Sequence, residues 1–148
     1  MKKKYLPLLL LLLLSACATT PTYIHEAEQA PVERVLAFQT PTSDKAATIT
    51  IIRDEGLIGS GCFAGLYINK ILAARLDVAE VVKFYVEPGE VLIRAGWDPQ
   101  GRGLCAFGQD NWTQRETLLK PGEQKSFRLF LDQNARWDIF RSDDSQNK

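Results

Sequence analysis

The chain reads as all-β: a small antiparallel β-sandwich of seven to nine strands after a signal peptide and a flexible tether. Three observations predict this. From Ala46 onward, short β-branched and aromatic runs recur at intervals of about ten residues. Turn residues separate them, including the two pairs Pro88-Gly89 and Pro121-Gly122. No stretch of this region carries the apolar spacing of a long helix.

The elements follow in order. Thr48-Ile49-Thr50-Ile51-Ile52 alternates, with Ile49 and Ile51 on one face. Phe63 to Asn69 and Ile71 to Leu76 form a hairpin around Asn69-Lys70, where Asn tolerates positive φ. Val82, Phe84 and Val86 alternate with Val81, Lys83 and Tyr85, and Pro88-Gly89 turns the chain into Val91 to Ala95. In each Pro-Gly pair, proline presets φ at the second turn position and glycine supplies positive φ at the third. Arg115 to Lys120 leads into Pro121-Gly122, followed by Phe127, Leu129 and Leu131 on one face. A last strand, Arg136 to Phe140, carries Trp137 and Ile139 on one side. The sandwich domain is expected over residues 46–141, with 142–148 as a disordered polar tail.

Leu66-Tyr67-Ile68-Asn69-Lys70, Ala73-Ala74-Arg75-Leu76, Phe84-Tyr85-Val86 and Pro88-Gly89-Glu90 together carry a resemblance. Over about Thr48 to Arg94 the chain resembles uncharacterised bacterial domains related to the PEGA type. The resemblance implies a small β-sandwich in an extracytoplasmic setting and no catalytic residues. Lys70 stands where such domains carry glycine, which predicts a wider or differently shaped turn.

The amino terminus supplies the most specific signal. Lys2-Lys3-Lys4, a leucine-rich run and Leu14-Ser15-Ala16-Cys17 have the parts of a secretory signal peptide. The run from Tyr5 to Leu14 is ten residues, whereas a spanning helix needs about twenty. Leu14-Ser15-Ala16-Cys17 resembles the lipobox of bacterial lipoproteins. That resemblance implies removal of residues 1–16, diacylglycerol on the Cys17 sulfur and acylation of the new amino terminus. Ala18 in the next position implies sorting to the outer membrane rather than retention at the inner one. Residues 17–45, with Pro21, Pro31 and Pro41 among threonines and serine, read as a lipid-anchored tether of coil character. Within it, Val32 to Phe38 can form two helical turns whose Val32, Val35 and Leu36 face docks on the domain.

Charge excludes one class of partner. Removing three of the 18 basic residues with the signal leaves 15 against 18 acidic, a formal −3. Nucleic-acid binding needs clustered Lys and Arg, so none is expected. Cys62 and Cys105 in an exported domain point to a disulfide, the alternative being two buried thiols. Two thiols and His25, the one histidine, fall short of four zinc ligands, and no cofactor or metal is expected. Gly59-Ser60-Gly61 has the wrong flanks for a nucleophile elbow, and the folded region lacks a histidine base.

Asp54, Glu55, Asp77, Glu80, Glu87 and Glu90 sit at turns and strand ends, where carboxylates are normally solvated. Arg53, Arg75 and Arg94 are expected to pair with Glu80 or Glu90. A candidate binding rim gathers Trp97, Asp98, Arg102, Asn111 and Trp112 on glycine-rich loops, unless the two tryptophans turn inward to cap the sandwich. The expected function is a non-catalytic envelope lipoprotein facing the periplasm, a binding or assembly module. Its partners are the membrane through Cys17 and another envelope protein or peptidoglycan. The rivals are an envelope hydrolase using carboxylates and a subunit of a secretion or surface apparatus, including a prophage surface factor. An exposed strip of Val81, Tyr85 and Phe130 would mark the apparatus subunit.

Overall fold

The computed structural model describes residues 19–142; Cys17 with its signal, and the tail from residue 143, lie outside the described residues. Nine strands are found among the described residues: β1 (Glu28–Gln29), β2 (Ala47–Arg53), β3 (Ala64–Ile68), β4 (Ile71–Leu76), β5 (Glu80–Val86), β6 (Gly89–Trp97), β7 (Trp112–Leu119), β8 (Gln124–Leu131) and β9 (Trp137–Ser142). They form one sheet in the order β1-β5-β2-β8-β9 and another in the order β4-β3-β6-β7. The all-β sandwich expected from the strand pattern is the observed fold.

Alternation builds the core. Ala47, Ile49 and Ile51 of β2 are buried beside Val82, Phe84 and Val86 of β5 and Phe127, Leu129 and Leu131 of β8. Leu66 and Ile68 of β3 and Val91, Ile93 and Ala95 of β6 face them from the other sheet. Each side chain is inward because its parity along the strand puts it there.

The Pro-Gly corners carry the chain between sheets. Glu87-Pro88 joins β5 of the first sheet to β6 of the second, and Pro121-Gly122 joins β7 back to β8. The second corner closes with Glu123 N donating to Lys120 O at 3.0 Å. Chain direction at this corner makes β8 parallel to β2, and β1 is likewise parallel to β5; the other pairings are antiparallel. At the β3–β4 hairpin, Asn69 and Lys70 both take positive φ, 47° and 69°. Two such residues make the tight hairpin turn that matches strand twist, so Lys70 in the usual glycine position leaves the two-residue turn intact.

Residues 19–45 do not form the expected free coil. Thr20 bridges Glu55, and β1 pairs with β5 at Glu80 and Val81. A single 3₁₀ turn, Val32–Arg34, replaces the two expected turns. Leu36 N then donates to Ala73 O at 2.8 Å, and Tyr85 N donates to Phe38 O at 2.8 Å. Phe38 meets the Phe84 ring edge-on, with centroids 6.4 Å apart. Val35 and Phe38 dock on the core, while Val32 and Leu36 remain exposed. The physical reason is the open seam between edge strands β4 and β5, whose unpaired backbone groups this segment satisfies.

Two smaller expectations also change. Val81 is 3% exposed beneath the β1 segment, so the strip with Tyr85 and Phe130 is not an open apolar face. Ser142, expected to begin the tail, is the buried last residue of β9.

Candidate functional site

The C-terminal ends of β2, β6 and β8 and the N-terminal ends of β3, β7 and β9 share one end of the sandwich. Loops 54–63 and 98–111 cap this end. A Cys62–Cys105 disulfide joins them, with Cα atoms 5.5 Å apart, as the cysteine pair leads one to expect.

Beneath the loops lies Arg53, which continues the inward parity of Ile49 and Ile51 and is 2% exposed. Its guanidinium donates to the carbonyls of Cys62 (2.7 Å), Leu76 (2.8 Å) and Gly59 (2.8 Å), and faces the Trp137 ring at 5.2 Å. Burial pushes its pKa down to about 10, which still leaves it cationic at neutral pH. It ties the disulfide loop to the end of β4 through backbone acceptors, not through the carboxylates expected for it.

A cleft of about 400 Å³ opens beside the disulfide, lined by Phe63, Arg75, Asp98, Gln100 and Arg102. Arg75 forks onto the buried Asp98, Nε at 3.0 Å from both carboxylate oxygens and a terminal nitrogen at 2.6 Å from Oδ2. Gln100 N also donates to Asp98 Oδ1 at 3.0 Å, which fixes the loop that follows. Two guanidinium groups approach the Phe63 ring, Arg34 at 4.5 Å and Arg75 at 5.3 Å from its centroid. Arg34 in turn forks onto Glu80 and donates to Arg75 O at 2.9 Å. Hydrogen bonding to Glu80 raises the Arg34 pKa against the opposing effect of burial.

The five residues of the candidate rim do not act together. Trp97 turns inward, its ring 5.1 Å from that of Trp137 in an edge-on contact. It forms a floor for both loops: a Cβ on Gly59 would lie 3.0 Å from the Trp97 ring, and one on Gly108 would lie 3.2 Å from its Nε1. Gly59 and Gly108 also take φ of +74° and +71°, so both positions need glycine twice over. Asp98 is consumed by Arg75. Asn111 donates to Ala135 O at 2.7 Å and anchors its loop to the β8–β9 turn. Trp112 lies on the outer sheet face, about half-exposed, with the Arg94 guanidinium 4.1 Å from its ring; the same guanidinium is 5.4 Å from the Tyr67 ring. Arg94 therefore stacks on aromatic rings and does not take the expected Glu90. Arg102 remains on the cleft; its carbonyl accepts from Cys105 N at 3.1 Å, and its side chain has no hydrogen-bond or ion-pair partner among the described residues.

Sequence reasoning passed over Phe63, Arg34 and the apolar loop residues Leu57, Leu104 and Phe107, which are 71%, 87% and 72% exposed. Large apolar residues inside glycine-rich loops, outside any strand pattern, were the available signal. Of the turn and strand-end carboxylates, Asp54 is engaged by Arg128 and Glu80 by Arg34, while Asp98 and Asp138 pair with Arg75 and Arg115. Among the described residues no group of three or more His, Cys, Asp or Glu is placed to hold a metal ion. No protein-family model matches the chain, and no curated protein matches it either.

Proposed function

We propose that this chain is a cell-envelope lipoprotein, anchored through acylated Cys17 in the outer membrane and facing the periplasm. In this reading it is a non-catalytic binding or assembly module. The observation that carries the reading is the Cys62–Cys105 disulfide behind a lipobox-like leader. A cross-link of this kind persists in an oxidising compartment, and the leader supplies the route there. The lipid anchor supplies the membrane contact, and another envelope protein or peptidoglycan is the proposed second partner class.

The binding-module reading is favoured over a carboxylate hydrolase by the fixed ion pairs. Asp54 and Asp98 are each forked by an arginine and also accept a backbone N–H, which fixes their orientation within the structure. Replacing Cys17 tests the anchor. Cys17→Ser should leave an unprocessed, unlipidated precursor, and mature-sized protein in that variant would overturn the assignment.

A further inference from the structure

We infer that the disulfide-bearing end of the sandwich rests on the leaflet that holds the lipid anchor, with Leu57, Leu104 and Phe107 entering its interfacial layer. This rests on the proposed acylation of Cys17. Only Ala18 separates Cys17 from Thr19, so two Cα–Cα steps span at most about 7 Å.

Thr19 is not at the start of a free tether. Its Oγ1 donates to Leu131 O at 2.7 Å, and Thr20 N donates to Glu55 O at 2.8 Å. Both acceptors belong to the loop end of the sandwich. Loop 54–63 runs from this contact past Leu57 to Cys62, where the disulfide joins the loop of Leu104 and Phe107. The anchor and the three exposed apolar side chains therefore share one end of the molecule. The opposite end carries the charged Lys70, Glu87, Glu90 and Lys120 around the exposed Ile71 and Leu118, and lies one strand length away, about 30 Å along the nine residues of β6.

Chemistry of the end fits a bilayer. The disulfide and the Trp97 floor hold the loops in place, so exposing Leu104 and Phe107 is built in rather than a product of loose chain. Arg102, whose guanidinium has no partner among the described residues, precedes them by two and five positions, where it can take a headgroup phosphate. Acyl chains at Cys17 hold the domain against the surface, and the apolar loops fix its orientation there.

The test uses the mature acylated protein, beginning at Cys17, in vesicles of phosphatidylethanolamine and phosphatidylglycerol. Photoreactive benzoylphenylalanine replaces Leu104, Phe107 or, as the far-end control, Lys70. Mass spectrometry after irradiation reads the adducts and, in the same sample, the acylation of Cys17. Lipid adducts at 104 and 107 about tenfold above those at 70 are expected. With Cys17 acylated, equal labelling at 70, absent lipid adducts at 104 and 107, or adducts in whole cells to a protein instead, would overturn the orientation while leaving the anchor standing. An unacylated Cys17 would overturn the anchor and the orientation together.

Discussion

Arg34 and Glu80 form a fork-to-fork ion pair that fastens the N-terminal segment to the first residue of β5. The pair is mostly buried, with side chains 13% and 10% exposed, and Arg34 also holds the carbonyl of Arg75. Removing one partner leaves the other buried and unpaired. Glu80→Ala should destabilise the fold by about 3 kcal/mol in denaturant unfolding. Limited proteolysis should then cut within residues 30–45 well before the sandwich; equal resistance of variant and parent would show that the backbone contacts alone hold the segment.

Arg53 satisfies three backbone carbonyls at once. Arg53→Met keeps much of the volume and strands those acceptors, at a cost of about 3 kcal/mol. Arg53→Lys should recover only part of this, because a point-like ammonium does not reproduce the planar fork. Urea midpoints of the two variants rank them.

The disulfide closes a loop with a sequence separation of 43. On the chain-entropy model it stabilises the fold by about 4 kcal/mol. Reduced and non-reduced samples should differ in gel mobility, and the denatured, unreduced mature domain should contain no titratable thiol from Cys62 or Cys105. Cys62→Ser with Cys105→Ser should lower the unfolding midpoint accordingly.

Gly59→Ala should destabilise by about 2 kcal/mol, since it adds positive-φ strain to a collision. The new Cβ would sit 2.5 Å from Leu131 Cδ1. Gly61→Ala is the control in the same loop, because a Cβ there meets nothing within 4 Å. Thermal unfolding should separate the two variants clearly.

Asp132 governs an acid-sensitive turn between β8 and β9. Backbone N–H donation from Arg136, with that from Asn134, lowers its pKa below the ordinary carboxylate value. A depressed acid contributes stability that is full above its unfolded pKa, about 3.9, and is lost as pH falls through the folded value. The melting temperature of the parent should therefore fall toward that of Asp132→Ala as pH drops from about 6 to about 3. A gap between the two that stayed constant would assign the turn to other contacts.

Strand parity carried most of what the chain disclosed in advance. Ile49 and Ile51, the Val82-Phe84-Val86 trio and Phe127, Leu129 and Leu131 all face inward as alternation requires. The same rule, pushed one step further, accounts for the tryptophans. Trp97 shares parity with Ile93 and Ala95 and goes in; Trp112 lies opposite Gly96, and so stands on the outer face near Arg94. Arg53 follows Ile51 by two and is buried for the same reason. What parity cannot encode is pairing between distant segments. The Arg34–Glu80 fork and the Leu36 and Phe38 backbone bonds join positions some 40 residues apart, and a stretch rich in proline and threonine gives no local hint of them. The rim dissolved on similar grounds, because Asp98 belongs to Arg75, whose place in β4 is fixed by sheet pairing.

The parallel register of β2 with β8 has a consequence for how this molecule comes into being. Thr48 faces Gln124 and Arg53 faces Leu129, so the middle of the larger sheet waits for roughly the last sixth of the polypeptide. Chains emerge amino end first, and a sheet nucleus with so wide a separation forms slowly. Until then β2 has only β5 to lean on, whereas the hairpin of β3 and β4 and its neighbour β6 can assemble from what has already arrived. Both sulfurs of the cross-link are upstream of β8, so oxidation can precede completion of the core. A bond sealed that early would narrow the search left to the final two strands.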